Sequence, residues 1–234
     1  LTYLEIEDIP LPLGIPFAIF PLLDGGTSGV IIPGYGNSAE RGFFLENGGY
    51  YWHVNDMLNV KMLGDIYSRG SWAIKPSITY KKRYKYSGSF SFSYAQNKTG
   101  IRKSSKYQSR NDFKINWTHT QDPKANPNHS FSANVNFVTS QYNKTNPSTT
   151  TDYLSNTFNS SIAYQTSFFN KKLNFSLNAG HTQNTLDGKM TFTFPNFSLS
   201  SPKIYPFKKK IASGKQKWYE KIYFSYSMVG KNEL

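Results

Sequence analysis

The sequence predicts an all-β protein: one antiparallel sheet of about eleven strands, each long enough to cross a membrane as part of a transmembrane β-barrel. Three observations carry that expectation. Apolar and polar residues alternate with period two along most of the chain. The alternating runs reach or exceed the ~9–11 residues that a tilted membrane strand needs, where soluble strands average ~5–6. Phe and Tyr, with 18 and 17 residues, supply much of the apolar surface, while Ser, Asn, Thr and Lys take the intervening positions. That mixture suits strands with one greasy face and one wet face.

The opening segment, Leu1 to Leu23, is apolar but carries Pro10, Pro12, Pro16 and Pro21. Each proline removes a backbone donor and breaks a helix. Extended or edge structure is therefore expected here, packed against something apolar rather than crossing lipid. Residues 1–24 are expected to form one unit and 25–234 another.

From Gly25 onward strands are expected in order: Gly42 to Val54, Leu58 to Ser68, Ser71 to Lys81, Tyr86 to Gln96 and Asn111 to Gln121. Three more follow, Ser130 to Gln141, Leu154 to Phe168 and Lys172 to Gln183, and a last one around Ile222 to Met228. The pattern is plainest where Phe90, Phe92 and Tyr94 alternate with Ser89, Ser91 and Ser93, and where Phe113, Ile115, Trp117 and His119 alternate with Lys114, Asn116 and Thr118. No stretch has a helical period. The Phe, Ile and Leu face is expected to meet lipid, and the Ser, Asn and Lys face to line a wet lumen. Tyr50, Tyr51 and Trp52, near a strand end, suit an interfacial aromatic girdle.

Tight links are expected at Asn55-Asp56, around Arg83 and at Asn170-Lys171, alternating with wider polar links at Gly34 to Arg41, Asn97 to Arg110 and Tyr142 to Asp152. Short periplasmic turns alternating with longer outer loops give that rhythm. Arg69-Gly70 and Asp122 to Asn128 depart from it.

The 234-residue chain has a net charge of +13, yet its basic clusters, such as Lys81-Lys82-Arg83 and Lys208-Lys209-Lys210, fall between strands. They read as solvated turns rather than a nucleic-acid site, though phosphate-bearing headgroups are a second reading. With no cysteine, a disulfide scaffold or thiolate metal site is excluded. His53, His119, His129 and His181 lie far apart, and no nucleotide cradle or hydrolase elbow is present. Asp65 interrupts a strand between Leu63 and Tyr67 and is expected to face the lumen, paired with a lysine. No enzyme, metal or cofactor is expected.

Several phrases resemble the LptD family of outer-membrane lipopolysaccharide assembly proteins, in that family's order. Ile9-Pro10 and Phe20-Pro21 resemble the end of its periplasmic β-jellyroll, and Ser28-Gly29-Val30-Ile31-Ile32-Pro33 the start of its first barrel strand. Gly42-Phe43-Phe44, Tyr50-Tyr51-Trp52, Gly64-Asp65-Ile66-Tyr67 and Lys82-Arg83-Tyr84 are similar to the strands that follow. Tyr94 to Lys98 and His119 to Pro123 resemble the branch found in Bacteroidetes.

The resemblance implies the N-terminal portion of a larger barrel in the cell outer membrane. It implies lipopolysaccharide as substrate, outer-membrane lipids around the strands, an LptE-like plug lipoprotein in the lumen and a periplasmic LptA-like bridge as partners. It also implies a lateral gate between the first and last strands. Pro21, Pro33, Gly29 and Gly34 would belong to that gate, because proline cannot donate a ladder hydrogen bond. Ile15, Phe17 and Ile19 would line the path of the acyl chains. Two other readings remain open at this point: a different outer-membrane barrel acting as a channel or receptor, and a soluble β-sandwich that binds glycans, which requires shorter strands.

Overall fold

A computed structural model of the chain describes residues 2–6, 9–15, 26–100, 107–147, 149–169, 171–208 and 217–234, with side chains from residue 26 onward. A short antiparallel pair comes first: β1 (Thr2–Ile6) with β2 (Ile9–Ile15). It is a separate two-stranded sheet.

Every other described strand joins one antiparallel sheet of 12 strands. These are β3 (Gly29–Ile31), β4 (Gly34–Ser38), β5 (Gly42–Asn55), β6 (Leu58–Tyr67), β7 (Trp72–Lys82) and β8 (Tyr86–Thr99). They continue as β9 (Gln108–Gln121), β10 (His129–Val138), β11 (Thr157–Phe168), β12 (Leu173–Asn184), β13 (Met190–Ile204) and β14 (Phe224–Glu233). From β5 on, each strand pairs with its neighbours in sequence, while β3 and β4 share the free side of β5. The order is an open up-and-down meander, with β3/β4 at one edge and β14 at the other. From β5 to β14 the strands run from 10 to 15 residues, the length of membrane strands rather than of a soluble sandwich.

The distribution of polarity is inverted relative to a soluble sheet. One face carries exposed Phe43 (72%), Trp52 (55%) and Ile66 (67%). The other buries Asp65, Ser71, Asn97 and Asp112, each at 5% exposure or less. Asp65 pairs with Ala73, Ala73 with Ala95 and Ala95 with Asp112, so these polar groups share a face, as directly paired residues must. A face of exposed aromatics opposite a face of buried carboxylates fits a lipid-facing exterior and a polar interior.

Three details differ from the sequence reading. Met190–Ile204 is a full strand that periodicity alone does not reveal. The stretch Thr193 to Asn196 lies opposite Asn178 to Gly180, one residue fewer, which makes a bulge. The extra residue switches the apolar series from Met190 and Phe192 to Phe197 and Leu199, breaking the alternation. The link 139–156 is not an extended outer loop but holds two short helices, α1 (Tyr142–Thr145) and α2 (Thr150–Leu154). Helices this short complete too few turns to show a period. Finally, the connection 205–223, with a 3-10 turn at Trp218–Lys221, is long at the end of the sheet where tight turns were expected.

Candidate functional site

The first strand resumes after a break where a polar link, Gly34 to Arg41, was expected. β3 pairs Gly29, Val30 and Ile31 with Tyr51, Tyr50 and Gly49. β4 resumes with Gly34 opposite Glu46. Between them Ile32 and Pro33 lie outside the ladder. Pro33 has no amide to donate, so the sheet's edge is unpaired at its middle. Its ring occupies the space beside Gly48, where a Cβ would come within 2.8 Å of the proline Cβ. Only a glycine fits there without displacing the proline.

The break continues into the next two strands. Leu45 and Gly48 of β5 pair with Ile66 and Gly64 of β6, so Glu46 and Asn47 together oppose Asp65. This is a β-bulge with Asn47 at φ +58°, a left-handed conformation that asparagine tolerates better than most residues. The Asn47 amide donates to Asp65 Oδ1 at 2.8 Å. Lys75 Nζ on β7 lies 2.5 Å from Asp65 Oδ2 and 3.1 Å from Asn47 Oδ1. The buried carboxylate therefore satisfies the bulge's amide, and the lysine neutralises the carboxylate. Beside it, the Tyr67 hydroxyl donates to Glu46, and the Arg41 guanidinium lies 4.2 Å over the Tyr67 ring.

A strap formed by residues 139–156 crosses the polar face at the same end of the sheet. Arg41 Nη1 donates to Asn146 Oδ1 at 3.0 Å, although their positions are separated by five strand intervals, ~24 Å along a sheet. Asp112 accepts from Asn97 Nδ2 at 3.1 Å, Arg110 Nε at 3.0 Å and the Thr139 hydroxyl at 3.1 Å. Asn97 also donates to Thr145 at 3.3 Å, and Lys114 pairs with Asp152 at 3.0 Å. Thr149 caps α2 by accepting from the Asp152 amide at 3.1 Å. Tyr142, the first residue of α1 in the strap, is buried, and desolvation raises its hydroxyl pKa above the usual 10.

On the outer face beside the broken strand, Tyr35, Phe43, Leu45 and Ile66 line an apolar cleft of about 340 Å³. Val30, Ile32 and Tyr35 of the edge are 77%, 86% and 87% exposed.

The expected site residues divide. Pro33 sits at the break. Gly29 opens β3, but a Cβ there would meet nothing within 4 Å, and one at Gly34 would make only ordinary contact, 3.8 Å from the Glu46 carbonyl. Neither glycine is required by packing. Tyr50 and Trp52 are exposed on the apolar face, whereas Tyr51 alternates to the opposite face. Ile15 ends β2; its side chain, and Phe17, Ile19 and Pro21 altogether, lie outside the described residues. Asn47, Lys75 and the strap were not singled out from sequence. The Asn47-Gly48-Gly49 run was the available signal for a bulge. The partners of Asp65 and Asp112 depend on strand register, which no local pattern reports.

The histidines are structural in their contacts. His119 stacks among Tyr86, Trp117 and Phe131 and shares a 2.8 Å hydrogen bond with Tyr80. His181 packs between Phe137 and Phe192. Among the described residues no three His, Asp or Glu side chains gather as metal ligands.

The family model described as LptD protein matches the chain over residues 1–234. No curated protein matches it.

Proposed function

The chain belongs to the LptD protein family, and on that premise we propose that it forms the N-terminal part of an outer-membrane barrel whose first strand is one side of a lateral gate for lipopolysaccharide. Membership supports a role in lipopolysaccharide transport at the level of the family, a family of transport or assembly proteins. The all-β sheet of long strands fits such a barrel.

The observation that carries the gate is the break at Ile32–Pro33. A gate strand must hold the closing strand weakly; Pro33 has no amide to offer a partner, and the interruption against β5 leaves this edge less firmly held. The bulge at Asn47 and the paired Asp65 and Lys75 hold β5 and β6 together behind the break. Yielding is thereby confined to the edge. The apolar cleft at Tyr35, Phe43, Leu45 and Ile66 suits acyl chains leaving sideways.

In the same reading, residues 1–24 are the end of a periplasmic jellyroll that receives lipid from an LptA-like bridge. Pro21 marks the junction, and Ile15, Phe17 and Ile19 line the path. Gly29 and Gly34 flank the yielding segment. The polar face, with its strap, meets an LptE-like plug.

The test is Pro33→Ala in the full-length protein, which restores the missing donor. Slower amide exchange across 30–35 and a several-fold fall in surface lipopolysaccharide are expected. A cysteine pair joining β3 to the barrel's last strand should abolish surface delivery until reduced. Unchanged delivery in both variants overturns the gate.

A further inference from the structure

We infer that the end of the sheet formed by the turns 83–85 and 122–128, with residues 169, 171–172, 205–208 and 217–223, is a docking surface for the anionic phospholipid headgroups of the adjoining leaflet. This rests on the reading of the sheet as membrane-spanning and adds a ligand class to it.

The two ends of the sheet use their charges differently. At the strap end four cations are matched to acids, Lys75 to Asp65, Arg110 to Asp112, Lys114 to Asp152 and Lys231 to Glu233, and Arg41, Arg69 and Lys144 donate to amide or carbonyl oxygens of the loops. At the opposite end Lys81, Lys82, Arg83, Tyr84 and Asp122 line a cleft of about 400 Å³, and Lys85 and Lys124, beside them in sequence, are exposed. Further along the same end stand exposed Lys171, Lys172, Lys203, Lys208, Lys217 and Lys221. Among the described residues none of these cations forms a salt bridge. Successive turns are two strands apart, ~10 Å, which is about a Debye length. The charges therefore repel one another unless a shared counter-surface neutralises them.

Aromatic residues identify that surface. Tyr84 (54%), Phe169 (77%), Phe207 (57%) and Trp218 (77%) stand exposed in the same band. Arg83 lies over Tyr84 at 4.9 Å, Lys203 over Tyr223 at 4.3 Å and Lys208 over Tyr205 at 5.8 Å. Aromatics at this density would be poorly solvated against water or an acidic soluble protein. They suit a membrane interface, where the ring sits at headgroup level and the cation reaches phosphate.

The test uses the full-length protein in detergent micelles doped with phosphatidylglycerol or phosphatidylcholine, with bound lipid counted by native mass spectrometry. Wild type should retain phosphatidylglycerol preferentially. The combined Lys81→Gln, Arg83→Gln, Lys85→Gln and Lys124→Gln variant should lose that preference by roughly fivefold or more. Arginine in place of the three lysines should keep it, as should Lys98→Gln with Lys189→Gln at the strap end. Equal retention of both lipids by wild type, an unchanged preference in the glutamine variant, or full displacement by inorganic phosphate overturns the inference while leaving the membrane reading intact. Recovery of wild type in the soluble fraction without detergent overturns both.

Discussion

The backbone amide of Asn47 donates to the carboxylate of Asp65 at 2.8 Å, directly behind the break at Pro33. A charge on a buried strand position thus serves the backbone of the neighbouring strand. Lys75, at 2.5 Å from the same carboxylate, keeps that charge compensated. The edge can be loose because the bulge behind it is tied.

Removing the carboxylate should expose that dependence. Asp65→Ala strands a buried amide and leaves Lys75 without its counter-charge, at a cost of about 3 kcal/mol. The paired change Asp65→Asn with Lys75→Met keeps an acceptor for Asn47 and should recover most of the loss. Both are read from the temperature at which the compact barrel form disappears on gel electrophoresis. An Asp65→Ala protein as heat-resistant as wild type would refute the tie.

The strap should loosen when its far anchor is cut. Asn146→Ala should cost about 1 kcal/mol and Arg41→Ala more, since it also loses the Tyr67 ring, and the double change no more than Arg41→Ala alone, because the two side chains share one hydrogen bond. Limited proteolysis within 139–156 measures it. Additive losses would mean that the two side chains act separately.

Alkaline pH should release the same strap. Burial raises the Tyr142 pKa, so the folded state holds its proton more tightly than the unfolded state does. The tyrosine's contribution is fully present below the unfolded pKa of ~10 and is lost as pH rises through the folded value. Cleavage of the strap should therefore accelerate above pH ~10, and Tyr142→Phe, which cannot ionise, should blunt the acceleration. The same pH profile in both proteins would rule Tyr142 out as the cause.

The neighbouring aromatics Tyr51 and Trp52 should report opposite environments. Trp52 is 55% exposed on the apolar face, near the strand end at Asn55. Lipids brominated near the headgroup should quench its fluorescence more than lipids brominated deep in the chain. Trp52→Phe should reduce that component to what Trp218 supplies, whereas Tyr51→Phe should leave it in place. Quenching unaffected by Trp52→Phe would place this strand end away from the interface.

The strands from β5 to β12 were legible because alternation is a local property: each residue's neighbour two positions on shares its face. The same rule places Tyr50 and Trp52 together and Tyr51 apart, which treating the three as one girdle overlooked. β13 was hidden by its bulge, and the helices of the strap by their brevity. Pro33 was readable as a strand breaker because its missing amide is intrinsic to the residue. That Gly48 lies beneath it was not readable.

By itself, then, the sequence determined which segments are strands, that their faces are opposite in polarity, and where a donor is missing from the first strand. These follow from side-chain chemistry within a few positions of the chain. Only the tertiary structure decided that Pro33, Asn47, Asp65 and Lys75 line up across four strands. It alone also decided that residue 146 returns to residue 41 and that the basic turns gather at one end beside exposed aromatics. Each of those depends on register and on how the meander stacks distant turns, and hydrogen-bond pairing between strands sets both.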